Sequence, residues 1–357
     1  MLFFWPWTSR AAEFTLPRAH PSALWVWAAS EGALYVRKGL LVAACCRSAH
    51  SSILLTTLTA PGADNFGDDS SAGRNPPARV LDAVFNLSMT YQRDSDVLFD
   101  YGRVVEKAAE AAPRNKQPSL EATLRVWFAR KTRLAAWTAS HCETASKREL
   151  LVASLRRTAP VDVFGKCGGL WGVLGGAGHA RHADLLSRKY MFYLAFENRL
   201  CRDYITEKFW IDALLNTAIP LVLGGGTRVG ARSDYHEVAP PGSFIDAEDF
   251  PSARELADHL KEVARNFTLF ASYHAWRANY SLAGASGDWA HSREAEARAA
   301  CGLCGWLHGH GHAAAAGGRA GGAGGGAQSR WELNLTRFWS EAGSCRPPTH
   351  FGVTRPP

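Results

Sequence analysis

Two sets of reactive side chains stand close together in the middle of the chain. Glu197 and Asn198 end the apolar run YMFYLAF, and Thr206, Glu207 and Lys208 follow a short polar loop. Thr206 is a predicted N-cap for a helix over residues 207–216, with Phe209, Ala213 and Leu214 along one face. A helix N-terminus offers free N–H groups and a partial positive charge, so it attracts phosphate. Lys208 in a first turn is unfavourable alone, and an anion in front of it makes the placement sensible. Phosphate would repel Glu207, which should therefore face an uncharged group with paired donors, such as the vicinal hydroxyls of a ribose. The ligand implied is a nucleotide. Gly224, Gly225 and Gly226 have neither G-x-G-x-x-G nor Walker spacing and read as a turn.

The elements that must hold these groups alternate. Residues 134–138 (LAAWT), 161–164 (VDVF), 190–196 and 219–223 (IPLVL) are predicted strands. Residues 146–157 (SKRELLVASLRR) and 252–266 (SARELADHLKEVARN) are predicted helices, the second starting at a serine cap. Strand–helix–strand repetition implies a parallel sheet covered by helices. Ligands of such sheets sit beyond the carboxyl ends of the strands, where both sets of side chains fall.

The chain's 357 residues, 46% of them hydrophobic, are enough for two cores. A net charge of +7 suits anionic ligands or a membrane surface and excludes little. No aromatic–basic motif for nucleic acid accompanies it. Eight cysteines and the sequons at Asn86, Asn266, Asn279 and Asn334 favour a lumenal compartment. The apolar stretches MLFFWPW and residues 40–46 are too short to span a bilayer, which takes about 17–25 residues. Residues 1–80 read as irregular, 81–300 as globular, and 308–327 as a His/Ala/Gly low-complexity run.

The stretch FYLAFEN-x4-DYITEK-x3-DALL-x3-IPLVLG resembles the signature of the α1,3-fucosyltransferases of glycosyltransferase family 10, which use GDP-fucose. FNLSMTYQRDSDVLFDYG upstream, and PPGSFIDAEDFPSARELADHLKEV, YHAWR and Cys301-x2-Cys304 downstream, continue the resemblance in order. It implies an α/β GT-B fold, two Rossmann-like domains facing a cleft. On that reading, residues 1–130 are an incomplete acceptor-binding domain with an insertion at about 32–80. Residues 131–300 bind the donor, and 301–357 form a cysteine-containing tail.

Roles follow from the same resemblance. Arg148 and Lys208 hold the diphosphate, Tyr204 and Glu207 surround ribose and guanine, and Asn198 and Glu197 shape the donor pocket. For Glu197, capping a backbone turn is an equal alternative. Glu31, in Trp25-Val-Trp27-Ala-Ala-Ser-Glu31, holds the place of the family's catalytic base, and an exposed loop glutamate is the rival reading. The implied reaction moves fucose with inversion to the 3-hydroxyl of GlcNAc in a glycan or glycoprotein. The alternative is an inactive relative that binds without turnover.

No obligatory cofactor is expected, and a divalent cation would at most stimulate. The D-x-D letters at Asp94 and Asp96 lie in the upstream segment, away from the donor strands. Family members are type II proteins of the Golgi membrane. Disulfides are expected within two clusters, Cys142/Cys167/Cys201 and Cys301/Cys304/Cys345. A zinc site at Cys301 and Cys304 near His308, His310 and His312 is the lesser reading. Gly32 and Ala33 replace the family's Ser-Pro after Glu31, and Glu31 stands unusually far from Asn86.

Overall fold

The computed structural model describes residues 2–6, 24–29, 55–57, 87–107, 118–168, 185–186, 188–226, 233–283, 298–306 and 345–348. The chain divides into two compact units, residues 1–100 with 290–344, and 101–289 with 345–357.

The first unit contains a five-stranded parallel sheet in the order β3-β1-β2-β4-β5. Its strands are β1 (Leu2–Pro6), β2 (Leu24–Ala29), β3 (Leu55–Thr57), β4 (Leu87–Thr90) and β5 (Val97–Leu98). Three of them lie in the stretch expected to be irregular, and β3 falls inside the expected insertion. The runs LFFWP and LWVWAA are rich in aromatic residues, which favour strands, but each is too short for its period to show in sequence. The Asp96 carboxylate accepts hydrogen bonds from Ser88 N and Ser88 Oγ, both at 2.8 Å, and so joins the entry of β5 to β4.

The second unit is built on another five-stranded parallel sheet, ordered β12-β11-β9-β7-β8. It comprises β7 (Arg133–Thr138), β8 (Val161–Phe164), β9 (Tyr190–Phe196), β11 (Ile219–Leu223) and β12 (Ile245–Asp246). Beside it, β6 (Arg103–Glu106) pairs antiparallel with β13 (Tyr280–Ala283), and β10 (Leu200–Cys201) with β14 (Cys345–Arg346). Each unit thus has a parallel sheet of its own, as an α/β chain of two domains requires.

Every residue of β9 is buried, because helices cover both faces of this central strand. Phe192, Leu194 and Phe196 face one cluster, with Leu151 and Leu155 of α2 (Arg148–Leu155) and Leu256 and Leu260 of α5 (Ala253–Arg265). Tyr193 and Ala195 face the other, with Phe209, Trp210 and Leu214. Each such apolar side chain contributes about 1.5–3 kcal/mol on burial. Ser252 starts α5 as expected, its Oγ accepting from Glu255 N at 3.2 Å. Helices α1 (Leu120–Arg130), α4 (Tyr235–Val238) and α6 (Phe267–Ser272) belong to the same unit.

The helix after the Thr206 motif departs from expectation. It is α3, Lys208–Leu215, and it is wound as a π-helix. Thr206 does not cap it through its side chain, and its hydroxyl instead donates to the two Glu197 carboxylate oxygens at 2.9 Å and 3.0 Å.

The disulfide expectation is half corrected. Cys142 pairs with Cys167, within the first cluster, whereas Cys201 pairs with Cys345 across the two. Strand pairing explains the crossing, since Cys201 and Cys345 are opposed in the β10–β14 ladder. Cys301 and Cys304 are disulfide-bonded as well, which leaves no thiolates there for zinc.

Candidate active site

The site is assembled at the carboxyl ends of β7, β9 and β11. The loop from β7 to α2 is tied to the end of β9 by two bonds: Ser146 Oγ donates to Glu197 O at 2.7 Å, and Ser146 N to Asn198 O at 3.1 Å. Lys147 has a left-handed backbone (φ 52°), a costly conformation for a residue with a side chain, and it turns the chain into α2. Arg148 is therefore the first residue of α2, directed back at β9.

The Arg148 guanidinium is only 2% exposed. Its Nη1 donates to Phe196 O at 2.6 Å and its Nη2, at the limit of bonding distance, to His141 O at 3.5 Å. Nε is buried without a partner, and the group lies over the Trp137 ring at 5.6 Å. No carboxylate pairs with it among the described residues. A desolvated cation of this kind is costly unless an anion completes it.

Glu197, fully buried, holds the next loop. Its carboxylate accepts from Thr206 N at 2.8 Å and from the Thr206 hydroxyl, and pairs with Lys208 Nζ at 3.2 Å. Glu197 thus ties down the backbone at Thr206. Lys208 Nζ also donates to Thr206 Oγ1 at 2.7 Å and Glu207 Oε1 at 3.0 Å. Burial raises the Glu207 pKa, but the Lys208 charge and hydrogen bond outweigh it and leave Glu207 below the usual glutamate value. Tyr204 is buried beside this network, and Asn198 is half-buried. Arg148, Glu197, Asn198, Tyr204, Glu207 and Lys208 thus gather at one end of one sheet. Glu31 lies outside the described residues, as do Asn86 and Asn334.

Several residues here were not singled out from sequence. Asp212, on α3, accepts from Tyr193 Oη at 3.0 Å. Burial and then the Glu207 charge push its carboxyl up to about 7. The Asp234 carboxylate accepts from both Asp203 N (2.6 Å) and Gly226 N (2.7 Å), linking the loop before Tyr204 to the turn after β11. Tyr235 is fully buried, and its hydroxyl has no partner. Asp212 stands in the DALL segment of the motif, so its position was visible although its setting was not. Among the described residues, no group of three His, Cys, Asp or Glu side chains could hold a metal ion.

Comparison with known proteins now bears on this geometry. Residues 128–316 match the family described as "Glycosyltransferase family 10 (fucosyltransferase) C-term". The chain belongs to that family. An alpha-(1,3)-fucosyltransferase C of Drosophila melanogaster is 37% identical over 271 residues, covering 73% of this chain and 56% of the relative. Alpha-(1,3)-fucosyltransferase 7 of Bos taurus is 38% identical over 205 residues, 57% of this chain and 51% of its own. The chain spans about half the length of these curated relatives. A crystal structure of an alpha1,3-fucosyltransferase with GDP-fucose overlaps 74% of this chain and 84% of its own, at 18% identity and a TM-score of 0.41. The family match spans β7 through α6, so it contains every donor-site side chain named above.

Proposed function

We propose that the chain moves L-fucose from GDP-β-L-fucose to the 3-hydroxyl of GlcNAc in a glycan or glycoprotein. The observation that carries this reading is the buried Arg148 guanidinium, uncompensated by any carboxylate among the described residues, at the carboxyl edge of the sheet. A pyrophosphate supplies the missing charge, and a guanidinium binds two phosphate oxygens at once. Lys208, already bracketed by Glu197 and Glu207, serves mainly to set the Glu207 carboxylate and lends the diphosphate a weaker second charge. Glu207 then accepts from the ribose hydroxyls, beside Tyr204, while Asn198 lines the donor pocket. Glu197 positions this loop from behind. Family membership and the relatives' names support fucose as the sugar.

In the reaction, Glu31 removes the proton of the acceptor hydroxyl, and that oxygen attacks the anomeric carbon opposite GDP. The bond from that carbon to the β-phosphate oxygen breaks, and GDP leaves with the electron pair. One displacement inverts the β-linked donor to an α-linked product. Arg148 and Lys208 stabilise the charge that develops on GDP, the kind of stabilisation that is usually the largest catalytic contribution. No metal is assigned a part.

A lumenal setting in the Golgi membrane fits the two disulfides of the donor unit. Exposed Asn266 and Asn279 are available for glycosylation there, as the sequons at Asn86 and Asn334 also are by sequence. No helix among the described residues is long and apolar enough to cross a membrane.

GDP release from GDP-fucose, with and without a GlcNAc acceptor, tests the reading. Acceptor-dependent release that Glu31→Gln abolishes, with GDP affinity kept, is the expected result. GDP protection against thermal unfolding without any turnover would instead identify an inactive binder.

A further inference from the structure

We propose that Arg346 is a positioning residue for the nucleotide pocket, locking the turn after β11 to the loop that follows β10. The inference rests on the nucleotide reading of that pocket. Arg346 belongs to β14, which the chain reaches only after the long low-complexity stretch. The strand returns to the donor unit by pairing with β10, Leu200 opposite Arg346, and the Cys201–Cys345 disulfide fixes it there. Cys201 stands immediately before the Arg202–Lys208 loop that carries Tyr204, Glu207 and Lys208.

From this anchored strand the Arg346 side chain, 6% exposed, reaches to the neighbouring turn. Its Nε donates to Gly226 O at 3.1 Å, and its Nη2 pairs with the Glu248 carboxylate. Gly226 in turn donates its N–H to Asp234, whose same carboxylate oxygen accepts from Asp203 N. A continuous path therefore runs from Arg346 through Gly226 and Asp234 to Asp203, the residue before Tyr204. The disulfide holds the same loop from its other side, at Cys201.

The backbone along this path needs such holding. Asp203 has φ 61°, and Gly225 and Gly226 have φ 66° and 74°. The left-handed region is costly for aspartate and persists only where surrounding bonds enforce it. A Cβ at Gly225 would sit a tight 3.0 Å from Asp234 N, on a backbone whose positive φ already disfavours a side chain. The Gly225–Gly226 turn follows β11 directly and the Asp203 loop follows β9 by way of β10, and β9 and β11 pair in the sheet, so a shift in either turn is felt at the crevice between them.

The test compares the full chain, disulfides intact, with Arg346→Gln and Arg346→Lys. Hydrogen exchange at the Asp203 and Gly226 amides, GDP affinity and thermal midpoint are read together. Arg346→Gln is expected to speed exchange at both amides and weaken GDP binding on the order of tenfold, as loss of a charged hydrogen bond does. Arg346→Lys should recover part of both effects, since its ammonium keeps the Glu248 pair while losing the fork. Glu248→Gln, which removes one partner only, gives the same readouts in milder form should Arg346→Gln not fold.

Unchanged exchange at both amides would overturn the proposal. So would faster exchange with unaltered GDP affinity, which would make Arg346 a purely structural residue. Should exchange quicken in the variant while the unmodified chain binds no GDP, the lock would stand and the nucleotide reading would fall.

Discussion

The two ends of the donor unit's sheet both hold buried charge, and they hold it in opposite ways. At the amino end, Lys131 caps α1 and donates to Leu186 O and Thr217 Oγ1, both at 3.3 Å. Arg277 donates to Leu214 O, in the last turn of α3, at 2.6 Å. These cations close helices, where the dipole favours them. At the carboxyl end, Arg148 and Lys208 open helices, where the dipole opposes them. Displaced titration does not separate the ends. Burial and then Arg277 lower Lys131 to about 7, and burial, then Arg277 and Lys131, take His274 well below its usual value, while Asp212 rises to about 7. The sign of the helix end does separate them. A buried cation at a helix start, with no carboxylate of its own, points to a ligand.

Perturbing one end at a time sharpens the contrast. The largest effect is expected for Glu197→Ala, which strips the buried carboxylate from Thr206 and Lys208. A loss of about 3–5 kcal/mol in unfolding free energy is expected in chemical denaturation. Arg148→Ala should weaken GDP binding by about 1.5–3 kcal/mol in calorimetry. Its counterpart Arg277→Ala should lower stability by about 1–3 kcal/mol and leave GDP affinity unchanged. If Arg277→Ala weakened GDP as much as Arg148→Ala, helix polarity would not distinguish binding from structural cations.

The last expected effect is the pH dependence set by Asp212. Its folded pKa, about 7, is raised from 3.8, so the folded protein holds this proton more tightly than the unfolded chain. Stability from this group is present at low pH and is lost as pH rises from about 4 through about 7. Asp212→Asn removes that slope. The variant should match the unmodified protein in acid and exceed it above neutrality, a comparison that thermal unfolding across pH 4–8 makes directly.

Much of the donor unit was legible because its pattern is repetitive. A seven-residue apolar run, shorter than an ordinary helix, reads as a strand buried on both faces, as β9 is, and a serine cap followed by apolar residues at helical spacing announced α5. The π-winding of α3 was not legible, since Phe209, Ala213 and Leu214 satisfy an ordinary helix equally well. In the site, the motif placed Arg148, Glu197, Tyr204, Glu207 and Lys208 together, and they are together. It could not show that Lys208 is ion-paired twice while Arg148 is not, because that difference lies in which loops meet. The Cys201–Cys345 pairing was hidden for a related reason. Cysteine spacing says nothing about a strand that returns across 144 residues. The first unit's strands β1, β2 and β3 were missed because short runs far apart in the sequence carry no period to read.

A crystal structure with GDP bound is the most direct measurement. The diphosphate should lie within hydrogen-bonding distance of the Arg148 guanidinium, drawing it from the His141 carbonyl, with the ribose hydroxyls on Glu207. GDP bound elsewhere, with Arg148 still held only by the Phe196 and His141 carbonyls, would contradict it.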